Sequence, residues 1–380
     1  MQELLGRSFF VLAFACVTCA TACSGGSQGV DRVERVGRVS AAIVDGTPSD
    51  ASQDAVVRLV VVDPTNSAKD TVCTGTLVAS DIVLTARHCV SRAQESVTCL
   101  VVDGALVGGD IFEDHDPANI QVVTGLMPSA TQTDAIGAKI FHDSGTNLCG
   151  HDLALLILDR RLATPIAPIR LATSVMVNDR FTAVGWGTNG ASVLPATRQQ
   201  RAGVLVEDLG PTQVDLSTGH RVAIGDNEIL AGEADCSGDS GGPALDVTTG
   251  AVIGVATRSG VGAPDTASPC RNSKNVYALP SGFKDVIDAA FSAAGEQVWS
   301  EGQPEPPRPP PTPVASPSKS GCAVGFAAGD RTSFASLAAC MLAAIAVAAA
   351  RRLRSASRRS RATPRPCPDR IRDRAANPSR

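Results

Sequence analysis

The chain has 380 residues, 43% hydrophobic, 3% aromatic and 19% charged, which is a globular composition rather than a disordered, collagenous or wholly membrane-embedded one. Its net charge of −4 hides an asymmetry: residues 351–380 carry eleven Arg against two Asp, so the remainder sums to about −13. A broad basic face for nucleic acid is therefore not expected. Twelve Cys exceed what an ordinary reduced cytosolic protein carries.

In chain order, residues 8–22 are an apolar run behind Arg7 that ends in small residues, which predicts a secretory signal peptide over 1–22. Ala20-Thr21-Ala22-Cys23, followed by Ser24-Gly25-Gly26, resembles a bacterial lipoprotein cleavage site, with plain cleavage near Ala22 as the alternative. Either route exports the chain.

From Ile43 to about Gln297, short Val-rich runs are bounded by turn residues: Val56–Val62, Thr76–Val78, Asp81–Thr85, Leu153–Leu158, Phe181–Val184 and Ala251–Ala256. Runs of this length and spacing predict an all-β sandwich or barrel. One helix is expected near the end, where Phe283, Val286, Ile287, Ala290 and Phe291 recur at helical spacing with Ser281 available as a cap.

Residues 304–317 hold eight prolines in fourteen positions, a stiff spacer within a predicted linker over 300–320. Gly321-Cys322, an apolar stretch from about Thr332 to Ala350 and the Arg cluster follow. The stretch is just long enough to span a bilayer with its arginines on the cytoplasmic side. The order of these features over 321–380 resembles sorting signals of the MYXO-CTERM class, in which the Cys marks processing and surface anchoring. A permanent tail anchor is the alternative, and it also leaves the folded domain outside.

Chemistry concentrates in Gly238-Asp239-Ser240-Gly241-Gly242-Pro243. A serine between glycines sits on a turn that can expose its hydroxyl and aim backbone N–H groups at a developing oxyanion. The letters also fit the nucleophile elbow of α/β-hydrolases, but that fold needs a His after the Ser, and the last His is His220. The base must lie upstream. Thr85-Ala86-Arg87-His88-Cys89 supplies His88, and His151-Asp152-Leu153-Ala154-Leu155 supplies Asp152 at the head of an apolar strand. A carboxylate there is suited to hold an imidazole in one tautomer.

The order His, Asp, Ser resembles the trypsin/chymotrypsin family over roughly Ile43 to Gln297. Ile43-Val44-Asp45-Gly46, Gly185-Trp186-Gly187 and Val276-Tyr277 support the likeness. The resemblance implies two six-stranded antiparallel β-barrels with a C-terminal helix in a domain over 43–299, preceded by a propeptide over 23–42. It implies a serine endopeptidase without cofactor or metal, acting on proteins or peptides as a monomer. Ser240 would be the nucleophile, His88 the base, Asp152 its orienter, and the N–H groups of Gly238 and Ser240 the oxyanion hole. Asp239 would pair with the new amine of Ile43 after an activating protease cuts. The specificity pocket would hold Ala234, Asp235, Ser259 and Asn275, and Thr257 would stand where a Ser usually supports the buried carboxylate. Three disulfides are implied: Cys73–Cys89, Cys236–Cys270 and the remaining pair Cys99–Cys149.

Departures from the family pattern are Arg87 before the catalytic His, expected at the surface, Ala42 rather than a basic residue before Ile43, and Ala234 at the pocket base. The last points away from simple trypsin specificity. The acidic run Asp110, Glu113, Asp114, His115, Asp116 reads as a solvated turn with calcium as the alternative. His115, His142, His151 and His220 show no evident partners in sequence. The rival function is an inactive homologue serving as a surface binding module.

Overall fold

The computed structural model describes residues 43–312, apart from 68–69, 95–96, 130, 188–194, 216–220 and 262–269. The expected leader, Cys23, the propeptide, residues 313–320 of the linker, His220 and the sorting segment with its Arg tail lie outside the described residues. Among the described residues no helix is long and apolar enough to cross a membrane.

Six strands close the first barrel: β1 (Val56–Val61), β2 (Thr71–Ala79), β3 (Ile82–Thr85), β4 (Ile120–Val123), β5 (Ala135–His142) and β6 (Ala154–Leu158). Every neighbour is antiparallel, in the ring order β1-β2-β3-β6-β5-β4. Cross-strand register puts Leu59, Leu77, Val83, Ile120 and Leu156 on one face of the ring, and all are fully buried. The second barrel repeats the arrangement with β7 (Arg180–Gly185), β8 (Gln199–Leu209), β9 (Glu228–Ala231), β10 (Pro243–Asp246), β11 (Val252–Val261) and β12 (Lys274–Ala278). Its ring order is β7-β8-β9-β12-β11-β10. Closing each ring pairs the edges that open sheets leave exposed. Phe181 and Tyr277 meet edge to face inside it, ring centroids 5.0 Å apart.

The predicted strands all form, with shifted ends. The run read as Thr76–Val78 extends to Thr71–Ala79, because Thr71–Thr76 pair along the whole of β1. The run read as Ala251–Ala256 continues to Val261 against β12.

Helix α1 spans Lys284–Ala294 and stops at Gly295, whose φ of 70° is the left-handed cap glycine tolerates. Ile287, Ala290 and Phe291 pack it onto the first barrel. Ser281 is not its cap. Pro280–Phe283 form a 3₁₀ turn instead, and Phe283 takes the cap position with no side-chain bond. The chain then stays on the domain past residue 299: Ile169 bridges to Ser300, Arg170 pairs with Glu301 at 2.5 Å, and Thr312 bonds Arg161.

Candidate functional site

Both barrels contribute strand ends to one open cleft of about 1240 Å³, lined among others by His88, Ser240, Gly238, Thr257 and Ser259. His88 sits where β3 runs out. After Ala86 the backbone turns through a 3₁₀ segment, Arg87–Cys89, and Cys89 is bonded to Cys73 of β2. Asp152 sits two residues before β6, the neighbour of β3, so pairing of β3 with β6 brings the two residues together. Asp152 Oδ1 accepts the His88 backbone N–H at 2.9 Å, and Oδ2 lies 2.8 Å from His88 Nδ1. The carboxylate is 1% exposed. An ionised acceptor there places the ring proton on Nδ1 and leaves Nε2 as the acceptor of the neutral imidazole. Burial opposes protonation of His88, but the charge and hydrogen bond of Asp152 outweigh it and hold the imidazole above its ordinary value.

Ser240 stands on the loop that leads into β10. Gly241 has a φ of 79°, and a Cβ there would meet Thr85 Oγ1 at 2.1 Å, so only glycine lets the serine loop approach the end of β3. Gly238 has a φ of 96°. Thr74, fully buried in β2, joins the two barrels at this point. Its N–H donates to Ser240 O at 2.8 Å, its hydroxyl donates to Gly238 O at 2.9 Å, and the same hydroxyl accepts the Trp186 N–H at 3.1 Å. The sequence reading did not single out Thr74. Its position directly after Cys73 was the available signal.

Behind Ser240 the interior is unusually acidic. Asp239, fully buried, accepts the N–H groups of Gly187 at 2.7 Å and Cys236 at 2.9 Å. Burial pushes its carboxyl well above the ordinary range, and the nearby Asp235 adds to the shift. Asp235 is raised to about 7, again by burial. Among the described residues neither carboxylate takes part in an ion pair. Asn275 fills the space beside Asp235: its Oδ1 accepts the Ala234 N–H at 2.8 Å and its Nδ2 donates to Asp235 O at 3.2 Å. Ala234, Asp235 and Asn275 are therefore enclosed, while Ser259 is exposed at the cleft. Ile43 is also fully buried, in an apolar cluster with Ala234 and Tyr277, and Val44 N–H donates to Ala234 O at 2.7 Å.

Several expectations require correction. Arg87 does not point to the surface. It is 6% exposed, and its Nη1 donates to Gly145 O at 2.6 Å and reaches Asp143 Oδ1 at 3.3 Å. Thr257 does not support Asp152, because its hydroxyl donates across the sheet to Val276 O at 3.0 Å. His142 and His151 have partners: His142 Nε2 lies 3.0 Å from Asp114 Oδ2, and His151 Nδ1 lies 2.6 Å from Asp143 Oδ2. In the acidic run, Asp114 also accepts the Ser91 hydroxyl at 2.7 Å, Glu113 pairs with Arg92 at 3.1 Å, and Asp116 caps the turn at Ala118.

The cysteines form Cys73–Cys89, Cys99–Cys149 and Cys236–Cys270, bridging 16, 50 and 34 residues. Cys73, His88 and Cys89 bring three potential metal-ligand atoms together, but both sulfurs are spent on the disulfide.

The sequence model of the family described as Trypsin matches residues 43–287. Among curated proteins, phenoloxidase-activating factor 3 of Holotrichia diomphalia is 25% identical over 53% of this chain and 59% of its own length. The cercarial protease of Schistosoma mansoni is 28% identical over 49% of this chain and 69% of its own length. Serine protease SP24D of Anopheles gambiae is 30% identical over 46% of this chain and 58% of its own length. The chain thus spans 58–69% of the length of these relatives. Two barrels of one ring order, a histidine held by a buried Asp and lining one cleft with a glycine-flanked serine, and a family match across the barrels lead to one assignment: the chain belongs to the trypsin family.

Proposed function

We propose that the chain is an exported serine endopeptidase, made as an inactive precursor and held at the cell surface by its C-terminal segment. The observation that carries the reading is the pair of hydrogen bonds by which Asp152 holds His88, which lines one open cleft together with Ser240. Ser240 Oγ attacks the scissile carbonyl while His88 Nε2 takes its proton. The His88 imidazolium is stabilised by Asp152 and returns the proton to the leaving amine. Water then hydrolyses the acyl-enzyme by the same proton route. The Gly238 and Ser240 N–H groups take the developing oxyanion, each donor contributing on the order of 3 kcal/mol.

Activation follows from the two buried carboxylates. Cleavage between Ala42 and Ile43 creates an α-ammonium on a residue that is already enclosed beside Ala234. Asp239 is the acceptor we assign to it. Compensating that charge fixes the 238–240 turn, whose N–H groups form the oxyanion hole. Export and disulfide formation go together.

The test compares the chain processed at Ile43 with its Ser240→Ala form. The processed chain should cleave peptides and take a fluorophosphonate label on Ser240. Ser240→Ala should lose labelling and about 10⁴–10⁶-fold in kcat. Equal turnover by both, or none by a folded and processed wild type, would sink the reading.

A further inference from the structure

Arg87 and His151 are the immediate chain neighbours of His88 and Asp152, and a single carboxylate joins them. Asp143 Oδ1 lies 3.3 Å from Arg87 Nη1, and Oδ2 lies 2.6 Å from His151 Nδ1. Its Oδ1 also accepts the Gly145 N–H at 3.0 Å, while Arg87 closes the ring on Gly145 O. Gly145 is a fixed part of the arrangement, since a Cβ there would fall 2.3 Å from the His151 ring. From these contacts we infer that Asp143 is a positioning residue: it ties the His88 turn to the Asp152 loop through Arg87 and His151. The inference rests on the triad reading proposed above.

The physical reason lies in Arg87. Its guanidinium is 7% exposed and remains charged, so it requires an anion. Three carboxylates act on it: Asp143, then Asp114, then Asp152. Asp114 is already shared by Ser91 and His142. Glu228, from β9, acts on His151 and is itself bound by Arg258. If Asp143 is neutralised, Arg87 is left with Asp114, held by Ser91 and His142, and with Asp152, so its guanidinium competes with His88 for the Asp152 carboxylate. Asp143 thus keeps the Asp152 carboxylate dedicated to the imidazole. It touches neither substrate nor the reacting atoms.

The competition predicts a pattern that simple loss of packing does not. In the processed full chain, Asp143→Asn should lower kcat about tenfold with KM within about twofold. The His88 pKa, read from its Nδ1 proton by NMR, should fall by about half a unit. Arg87→Gln in the same background removes the competitor and should restore both values to within about threefold of wild type. The proposal is overturned if Asp143→Asn leaves kcat and the His88 pKa unchanged, or if the double variant is no better than the single. A processed wild type that binds no fluorophosphonate defeats the protease reading alone, since the NMR measurement still decides the role of Asp143. If Asp143→Asn does not fold, His151→Gln takes its place, its ring being 41% exposed. A changed His88 pKa then supports the clamp and an unchanged one overturns it.

Discussion

The two barrels share one ring order but differ in what they enclose. The first is filled by aliphatic side chains, and most of its buried polar groups are hydroxyls such as Thr74, Thr76 and Thr85. Its buried carboxylate Asp152 is matched by two hydrogen bonds to His88. The second barrel buries Glu228, Arg258, Asp235, Asp239, Asn275 and Tyr277 along its strands and at the serine loop. Glu228 and Arg258 satisfy each other at 2.7 and 2.8 Å, and Glu228 also accepts the N–H groups of Gly150 and Gly225. Among the described residues, Asp235 and Asp239 have no such cation. Around Asp152 the first barrel is matched as folded, whereas the second encloses two carboxyls that burial raises, beside the cluster holding the residue whose amine processing would free. The same topology thus supports a finished half-site and an unfinished one.

The most damaging single change should be to the matched pair of the second barrel. Arg258→Met strands a carboxylate that is 1% exposed, and such losses cost about 3–5 kcal/mol. Replacing both partners, Glu228→Leu with Arg258→Met, leaves no buried charge and should recover most of that stability. Urea denaturation of the three chains measures it. A double variant as unstable as the single would show that the pair does more than cancel its own charges.

This contrast was only half legible in the sequence. The order His88, Asp152, Ser240, the glycines around Ser240 and the short Val-rich runs are local patterns; the runs become strands, Asp152 bonds His88, and His88 and Ser240 line one cleft. What the sequence could not convey is which distant partner a polar side chain selects. Arg87 finds Asp143 and Gly145, 56 and 58 residues away, because the end of β3 lies beside the loop entering β6. Thr257 looks like a support for Asp152 until the alternation of β11 turns its hydroxyl onto β12. Ser281 has capping chemistry, yet Pro280 opens a 3₁₀ turn that moves the helix start beyond it. In each case cross-strand register or backbone geometry overrules a sound local preference.

The unfinished site gives the second prediction. Asp239→Asn in the processed chain should lower kcat/KM about 10²–10³-fold, the scale on which losing an oxyanion donor acts. Keeping the Ala42–Ile43 bond should impose a similar loss, because it withholds the ammonium. Turnover of the same peptide by the three chains measures both. If the unprocessed chain matched the processed one, the charge imbalance between the barrels would have no catalytic meaning.

The smallest effect is a stability slope. A carboxyl raised to about 7 on folding, as at Asp235, binds its proton more tightly in the native chain than in the unfolded one. The stability it contributes is fully present below its ordinary value of 3.8 and is lost as pH rises through about 7. Asp239 shifts in the same direction. The unprocessed chain should therefore weaken across that window, by about 1.4 kcal/mol per pH unit for each extra proton the native state holds. Asp81, raised to about 6, and His88, held above its ordinary value, add slopes of the same sign in both forms. Only the difference between the forms is informative. An ammonium at Ile43 favours the ionised carboxylates and flattens the curve of the processed chain, so the gap between the two melting temperatures should widen from about pH 4 to about pH 7. Parallel melting curves would mean that the new amine never reaches the buried acids, and the second barrel would then have to balance its charge by other means.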